Sequence, residues 1–530
     1  MLWIALHLPR LSLESWLAVL PPDQREQPAA LMGPSEVLMC NSAAQRLGVR
    51  PGLQRVTARA LAPQLLLGRI DAARDRQALT SVAHVALAFT PAVCWADLVG
   101  PATATGTVLL QVQASLRYFG GLAALLQRLR AAVVPLNCTV QFASAPTAHG
   151  AAVLACCADT RSGELHATHL AQLEELLDAA PLWLIDAGRA QWDALDRMGL
   201  GTFGAVRRLP RPALRRRFGP ALLDEIDTVL GARSDPPPAW ITLPETFEAR
   251  LELLTCADTT DQLLHGAQLL IEPLLAWARA QQARVRRCTL FMHHERHRRQ
   301  SGEIPAATEL SIALAEVSCD AAHLSLLLRE RLAHLSLPAP TLELRLHCDD
   351  VVRGSPLSTD LFASARGERE GLVRLIERLQ ARLGEGQVQQ LRPMADHRPE
   401  RDVLLHAVSA DAVGSVARHA GRRPSPARSA VPERACRAAQ AVTVPRPVWL
   451  LDEPQRLAER QSRPWLDGQP LQLLCGPERI EAGWWDAPLA GRDYFIAQTP
   501  EGALVWLYRA RLPLSVAEDA QGWFLHGRFG

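Results

Sequence analysis

Between residues 247 and 346 the apolar residues switch period in a fixed order, and that order admits few folds. Phe247, Ala249, Leu251 and Leu253 alternate with Glu248, Arg250 and Glu252, which marks a strand with one buried face. Leu263, Ala267, Leu270, Leu274 and Trp277 then recur at helical spacing. Cys288, Leu290 and Met292 alternate in a second strand, and Leu310, Ile312 and Leu314 in a third. Leu324, Leu327, Leu328 and Leu335 fit a second helix, and Leu342, Leu344 and Leu346 a last strand. The order β-α-β-β-α-β predicts two helices on one face of a four-stranded sheet, with the other face open. Arg284, Arg286, Arg287, Arg296, Arg298 and Arg299 lie around the second strand and the loop after it, so phosphate backbone is the natural partner. "HHERH" (293–297) lacks the H-E-x-x-H spacing, and side chains at a strand end alternate in direction. No metal site is expected there.

The rest of the chain divides by composition. Its 530 residues suggest about three to four domains. The opening "WIALHLPRLSLESW" reads as a buried strand that turns at Pro9 into a helix. "VLLQVQASLRYFGG" reads as a strand and a glycine turn before the helix "LAALLQRLRAAV". "NCTVQFASAP" is a further strand, followed by the small-residue helix "AHGAAVLACCA". These form an α/β unit around a central sheet. Residues 183–235 look all-helical. The turn Gly199-Leu200-Gly201 between two short helices fits a helix-hairpin-helix, whose backbone amides can hold a DNA phosphate. Arg207, Arg208, Arg211, Arg215, Arg216 and Arg217 add charge; the alternative is a small helical domain with a solvated basic face. "SDPPPAW" (234–240) is a linker. Residues 396–445, rich in Arg, Ala, Pro and Ser, read as a flexible linker. From 446 a small β-rich domain holds Trp484, Trp485, Tyr494, Trp506 and Trp523. These read as core, with an aromatic surface for a protein partner as the alternative.

Composition excludes several chemistries. No apolar run reaches the roughly 18 residues of a membrane span, and no secretory leader is recognisable, so a cytoplasmic location is expected. The 11 cysteines include no C-x-x-C pair, which argues against a zinc ribbon or a disulfide framework and for mostly buried thiols. All 57 basic residues are arginine. No lysine exists for a Schiff base or a P-loop, and phosphate contacts fall to arginine, histidine, hydroxyls or backbone amides. The net charge of +2 leaves nucleic-acid binding to local patches.

An α/β front, a helix-hairpin-helix and a β-α-β-β-α-β module in this order resemble the palm, thumb and little finger of a Y-family DNA polymerase. "VLMCNSAAQRLGVRPGLQRVTARALAPQLLL" (37–67) looks like its fingers, through Gly48-Val49 and Ala62-Pro63-Gln64-Leu65. The resemblance implies an α+β multidomain chain. Residues 1–22 and 76–180 would be palm-like, 23–75 fingers-like, 183–235 a helix-hairpin-helix thumb and 240–352 the little finger. Residues 353–395 would hold a clamp-binding motif and a helix, 396–445 the flexible linker, and 446–530 a β-rich partner-binding domain.

Active members carry acidic residues that hold two divalent metals for nucleotidyl transfer. On that frame Glu14 matches. Ala5 falls on the first metal-binding Asp and His7 on the second acidic position. Gly106 and Thr107 fall on the later Asp-Glu pair, and Gln111 on the Asp after it. Pro9 and Arg10 replace an aromatic pair, and Ser42 and Gln45 replace the Tyr and Arg that hold the triphosphate. No catalytic residue, metal or cofactor is therefore expected. This pattern, with "SLRYFGGLAALLQRLR" and "GPERIEAGWWDAP…RDYFIAQTPEGALVWLYR…GWFLHGRFG", resembles the ImuB family, inactive Y-family relatives in the bacterial mutasome.

That resemblance implies an adaptor that binds DNA and the sliding clamp (β subunit). It would also bind an ImuA-like protein and a second, error-prone DnaE-type polymerase, and act at the nucleoid during the SOS response to DNA damage. Ser358-Thr359-Asp360-Leu361-Phe362 keeps the Asp-Leu-Phe end of a clamp-binding peptide and departs from it at the Gln and the Leu; the alternative is a loop capping a neighbouring core. Two further functions remain open: an active translesion polymerase whose metal site is relocated to a nearby acid such as Asp97, and a DNA-binding regulator without a clamp link.

Overall fold

The structure is a computed structural model that describes residues 1–96, 105–158, 163–295, 305–354, 365–408, 445–447, 449–483, 490–511 and 522–529. It comprises two units, Met1–Arg382 and Leu383–Gly530.

The first unit opens with β1 (Trp3–Leu8), buried at all six positions, and α1 (Leu11–Val19). Strands β2 (Ala29–Met32) and β3 (Val37–Cys40), helices α2 (Ser42–Arg46) and α3 (Arg55–Leu61), and β4 (Leu66–Arg69) form a small layer with strand order β3-β2-β4. It sits tightly on α1: a Cβ at Gly68 would lie 2.4 Å from the Trp16 ring, so only glycine admits the indole there. The chain continues through α4 (Ala72–Leu87), β5 (Val93–Trp95), β6 (Gly106–Gln111), α5 (Leu116–Phe119), α6 (Leu122–Val133), β7 (Gln141–Ala145), α7 (Ala148–Cys157) and β8 (Leu165–His166).

The main sheet has the order β5-β6-β1-β7-β8, with β1 central and antiparallel to both neighbours. A central strand covered on both faces reads as a continuous apolar run, which β1 is. Ile4, Leu6 and Leu8 pack under α4 and α6. Ala5, Leu109 and Ala143 face α7 on the other side. Helix α7 approaches closely because it is built of small residues. Thr147 caps it by accepting from the Gly150 N–H (3.1 Å), and the Thr147 hydroxyl donates to the Val229 carbonyl (2.8 Å).

Helices α8 (Leu170–Leu177), α9 (Asp186–Ala190), α10 (Trp192–Arg197), α11 (Phe203–Arg207), α12 (Arg211–Phe218) and α13 (Pro220–Leu230) share the α7 core through Leu173, Phe203, Leu222 and Val229. The segment read as a linker then touches the sheet edge: the Ile241 N–H donates to the Val93 carbonyl (2.8 Å), and Trp240 stacks on Trp3.

Strand β9 (Phe247–Ala257), α14 (Thr260–Ala280), β10 (Ala283–His294), β11 (Ala307–Ser318), α15 (Ala321–Ala333) and β12 (Thr341–Arg353) make the β-α-β-β-α-β module, with strand order β11-β10-β12-β9. A capping box at Thr259 and Gln262 starts α14. The same helix packs against α1 and α4, and His265 and Arg25 are 2.7 Å apart. Helix α16 (Ala365–Leu383) covers the open edge of β11. Its Glu377 accepts from the Ala315 N–H (2.6 Å) and pairs with His323 (2.8 Å), both side chains being 6% exposed.

The second unit contains a hairpin of β13 (Gln389–Pro393) and β14 (Val403–Ala407). Its five-stranded sheet has the order β15-β22-β21-β20-β19, and a smaller one the order β16-β17-β18. These strands are β15 (Trp449–Arg456), β16 (Ala458–Arg460), β17 (Arg463–Leu466), β18 (Gln469–Pro470), β19 (Gln472–Ala482), β20 (Ala490–Gln498), β21 (Leu504–Ala510) and β22 (Gly522–Arg528). Tyr494 stacks on Trp506 at 4.0 Å, and Trp523 is buried as well; Trp484 and Trp485 lie outside the described residues. The linker expected from 396 begins later than its composition implies. Arg398 is 3% exposed, and Glu400 accepts from Arg492 at 3.0 Å. Charged residues held by ion pairs to a distant strand look, in composition, like a solvated chain. Residues 409–444 lie outside the described residues.

The architecture is α+β and multidomain with a β-rich carboxy-terminal unit. No helix among the described residues is long and apolar enough to cross a membrane.

Three histidines sit inside these cores: His7 in β1, His84 in α4 and His526 in β22 are at most 7% exposed. Burial pushes each imidazole down from its usual 6.5 to about 4. Between those values the unfolded chain takes up protons that the folded chain refuses, so stability is complete above about pH 7 and declines toward pH 4. Urea titrations at pH 7.5 and 5 should show a loss on the order of 1–3 kcal/mol per histidine, and His84→Leu should remove its share of that loss.

Candidate functional site

The positions aligned with metal-binding acids lie where β1 and β6 run side by side. His7 faces Thr107 across the ladder, and Ala5 faces Leu109. Strand alternation therefore puts Ala5, His7 and Thr107 on one face. Gly106 points to the other, where a Cβ would lie 2.8 Å from Leu79 and 3.1 Å from Leu11. The structure thus unites Ala5 with Thr107 and separates both from Gly106.

The shared face is closed. Ala5 is 0% exposed beneath α7. His7 Nδ1 and Thr107 Oγ1 share a 2.8 Å hydrogen bond, and Cys156 Sγ of α7 lies 3.6 Å from the same nitrogen. Burial keeps the imidazole neutral at neutral pH and pushes the Cys156 thiol up to about 12. Two divalent cations need several oxygen donors, mostly carboxylates. A neutral imidazole, a hydroxyl bonded to it, a protonated thiol and a methyl group do not fit such a pair of ions.

Other nearby acids are engaged. Glu14 accepts from the Thr139 amide (2.7 Å) and hydroxyl (2.5 Å). Asp75 accepts from Ser15 (2.6 Å) and from Ser12. No group of three metal-ligating side chains occurs among the described residues, and Asp97 lies outside them. The pairing of His7 with Thr107 was not anticipated. A register in which Trp3 meets Gln111 would have revealed it, and the sequence does not supply registers.

In the fingers-like layer Ser42 and Gln45 are exposed. Asn41 caps α2 by accepting from the Ala44 N–H, and Gln45 donates to the Cys40 carbonyl.

In the helical region Gly199 adopts φ +69° and ends α10 as a left-handed cap. Gly201 lies against Trp192. Several amides of the turn and of the helix after it are bonded within the fold: Gly199 donates to the Asp196 carbonyl and Leu200 to the Leu195 carbonyl. Phe203 and Gly204 donate to the Ala180 and Asp178 carbonyls, and Ala205 donates to the Thr202 hydroxyl. Arg207 is engaged with Glu174 and Asp178, each at 2.7 Å, and Arg211 with Asp227. Arg208, Arg215, Arg216 and Arg217 are exposed and make no ion pair among the described residues.

In the β-α-β-β-α-β module Arg284, Arg286 and Arg287 occupy the start of β10, with Arg286 3.8 Å from Asp350. Arg296, Arg298 and Arg299 lie outside the described residues, as do Ser358, Thr359, Asp360, Leu361 and Phe362. The open face of the sheet is mixed in charge, not basic. Glu248 holds Arg250 and Arg345, and Arg345 lies over the Phe291 ring. His293 is half-buried on one face, and His294 is buried against Thr308 on the other.

Residues 13–155 match the model of the impB/mucB/samB family. Among solved structures the chain resembles a Dbh ternary complex (16% identity, TM-score 0.35) and DinB from Sulfolobus solfataricus (16% identity, TM-score 0.34). Each of those chains is matched over its whole length by 67% of this one. "Protein ImuB" of Caulobacter vibrioides, in strains NA1000 / CB15N and ATCC 19089 / CIP 103742 / CB 15, is 28% identical over 511 residues, covering 91% of this chain and all of the relative. The chain is thus similar over residues 13–155 to the impB/mucB/samB family, and over 91% of its length to Protein ImuB of Caulobacter vibrioides.

Proposed function

We propose that this chain is a non-catalytic, Y-family-like adaptor. It binds DNA and the sliding clamp, and brings an ImuA-like protein and an error-prone DnaE-type polymerase to damaged templates for translesion synthesis and induced mutagenesis. The observation that carries the reading is Ala5, fully buried beneath α7 at the place of the first metal-binding acid, beside a hydrogen-bonded His7–Thr107 pair. Nucleotidyl transfer needs carboxylates on an accessible face there, and Ala5, His7 and Thr107 offer none and are buried. The partners rest on the family and on the clamp-like peptide at 358–362.

DNA contact falls to backbone phosphates, since the exposed groups on offer are guanidinia. The unpaired arginines at the end of α12 are its main candidates in the helical region. Arg207 serves the fold through Glu174 and Asp178. The arginines at 284, 286, 287, 296, 298 and 299 remain secondary candidates.

Primer extension tests the core of this reading. The chain alone should add no nucleotide in Mg²⁺ or Mn²⁺, and synthesis past a lesion should appear only with clamp and DnaE-type polymerase. Metal-dependent extension by the chain alone would favour an active polymerase with a displaced site. Ala5→Asp should not restore synthesis; a buried, unpartnered carboxylate should instead cost about 3 kcal/mol or more of stability in urea unfolding. Arg215→Gln/Arg216→Gln/Arg217→Gln should lower the salt dependence of duplex binding by roughly two to three units, against less than one for Arg207→Gln. Leu361→Ala/Phe362→Ala should weaken clamp binding by about 2–4 kcal/mol in calorimetry; unchanged affinity would remove the 358–362 peptide from the reading.

A further inference from the structure

At the far end of β6 from Thr107 lies a cavity of about 650 Å³, unrelated to the closed acidic site. Helices α5 and α6 form one wall; the start of β10, the end of β11 and α16 form the other. Two adjacent aromatic rings, Tyr118 and Phe119, and four guanidinia, of Arg128, Arg279, Arg284 and Arg374, meet in it. Tyr118 is 82% exposed, its ring edge-on to Phe119 at 4.9 Å. The Arg128 guanidinium sits 5.7 Å over the Phe119 ring. Arg279 reaches in and donates to the Cys319 carbonyl (3.2 Å). Arg284 Nε is buried there with no hydrogen-bond partner.

Glu316, Asp320 and Glu377 also line it, and the last two are held by other partners. Asp320 is held by Arg374 (3.2 Å) and by the first amides of α15. Glu377 is held by His323 and by the Ala315 amide. Arg128, Arg279 and Arg284 make no ion pair among the described residues. A buried donor without a partner is costly, and a cavity that sets the Arg284 Nε donor beside the guanidinia of Arg128 and Arg279 suits an anion.

The aromatic component narrows the class of anion. Guanidinium forks suit phosphate oxygens, and an exposed phenol ring beside them suits a base. An acidic peptide would use the arginines and leave the ring idle. A cavity of this volume holds one nucleotide. We infer that it binds a nucleotide unit of a DNA single strand, with the base stacked on Tyr118 and the phosphate on Arg128 and Arg284. This deepens the DNA-binding reading above and rests on it. It moves Arg284 from the open sheet face to a walled site, and gives Tyr118 a role that core packing does not.

The test titrates the full chain with fluorescent oligo-dT, a duplex of equal length, free dTMP and polyglutamate at one salt concentration. Tyr118→Ala, an exposed change that leaves the fold alone, should weaken oligo-dT roughly tenfold and the duplex less than twofold. Arg284→Gln should lower the salt slope for oligo-dT by about 0.7. Saturable dTMP binding lost in Tyr118→Ala, without oligo-dT binding, would keep the nucleotide chemistry but make its source a free nucleotide, overturning the strand assignment. Polyglutamate displacing oligo-dT equally from wild type and Tyr118→Ala would overturn the site in favour of an acidic protein partner. Wild-type binding of DNA with both variants unchanged would overturn the cavity alone. No DNA binding by the wild type would overturn the DNA reading along with it.

Discussion

The contact between β1 and α7 governs the first unit. Ala5 and Ala143 on the sheet meet Ala151, Ala152 and Ala155 on the helix, and this small-on-small surface lets the helix lie close. A Cβ at Gly150 would lie 2.4 Å from Thr147 Oγ1, so the same closeness fixes the helix start. Through Thr147 and Val229 the helix is then joined to the thumb-like core. A sheet face that is covered this way cannot also offer carboxylates to metal and substrate. Its polar groups turn to one another, as His7, Thr107 and Cys156 do, because a buried polar group without a partner is destabilising.

Arginine carries all of the positive charge, and its partners sort it into two uses. Where carboxylates lie within reach, as for Arg207, Arg211, Arg345 and Arg492, the guanidinium ties elements together. Where none does, as at the end of α12 and in the cavity beside Tyr118, the cation is left facing solvent or a void. Charge counts along the sequence treat both uses alike. Only distances separate a structural arginine from one that can meet a phosphate.

The module at 247–353 was legible because its signal is local: alternating strands and amphipathic helices specify their own faces. That Ala5, His7, Gly106 and Thr107 stand where the resemblance expects acids is legible in the same way, being a matter of which residue stands where. The engagement of the Phe203 and Gly204 amides was not legible, because the Ala180 and Asp178 carbonyls that accept from them come from a segment outside the motif. The ion pairs on the open face were not legible, because Glu248, two residues from Arg250 on β9, reaches Arg345 on the neighbouring β12.

By itself, the sequence determined the order of elements, the absence of carboxylates where two metals would sit, and the all-arginine chemistry of any phosphate contact. These are properties of residue identity and short-range periodicity. Tertiary structure decided that the vacated acidic site is a closed core, that Arg207 and Arg345 are spent on ion pairs, and that Tyr118, Arg128 and Arg284 line one cavity. Those facts depend on strand register and on contacts between residues well separated in sequence, from 29 positions for Arg207 and Asp178 to 149 for His7 and Cys156, where local pattern carries no information.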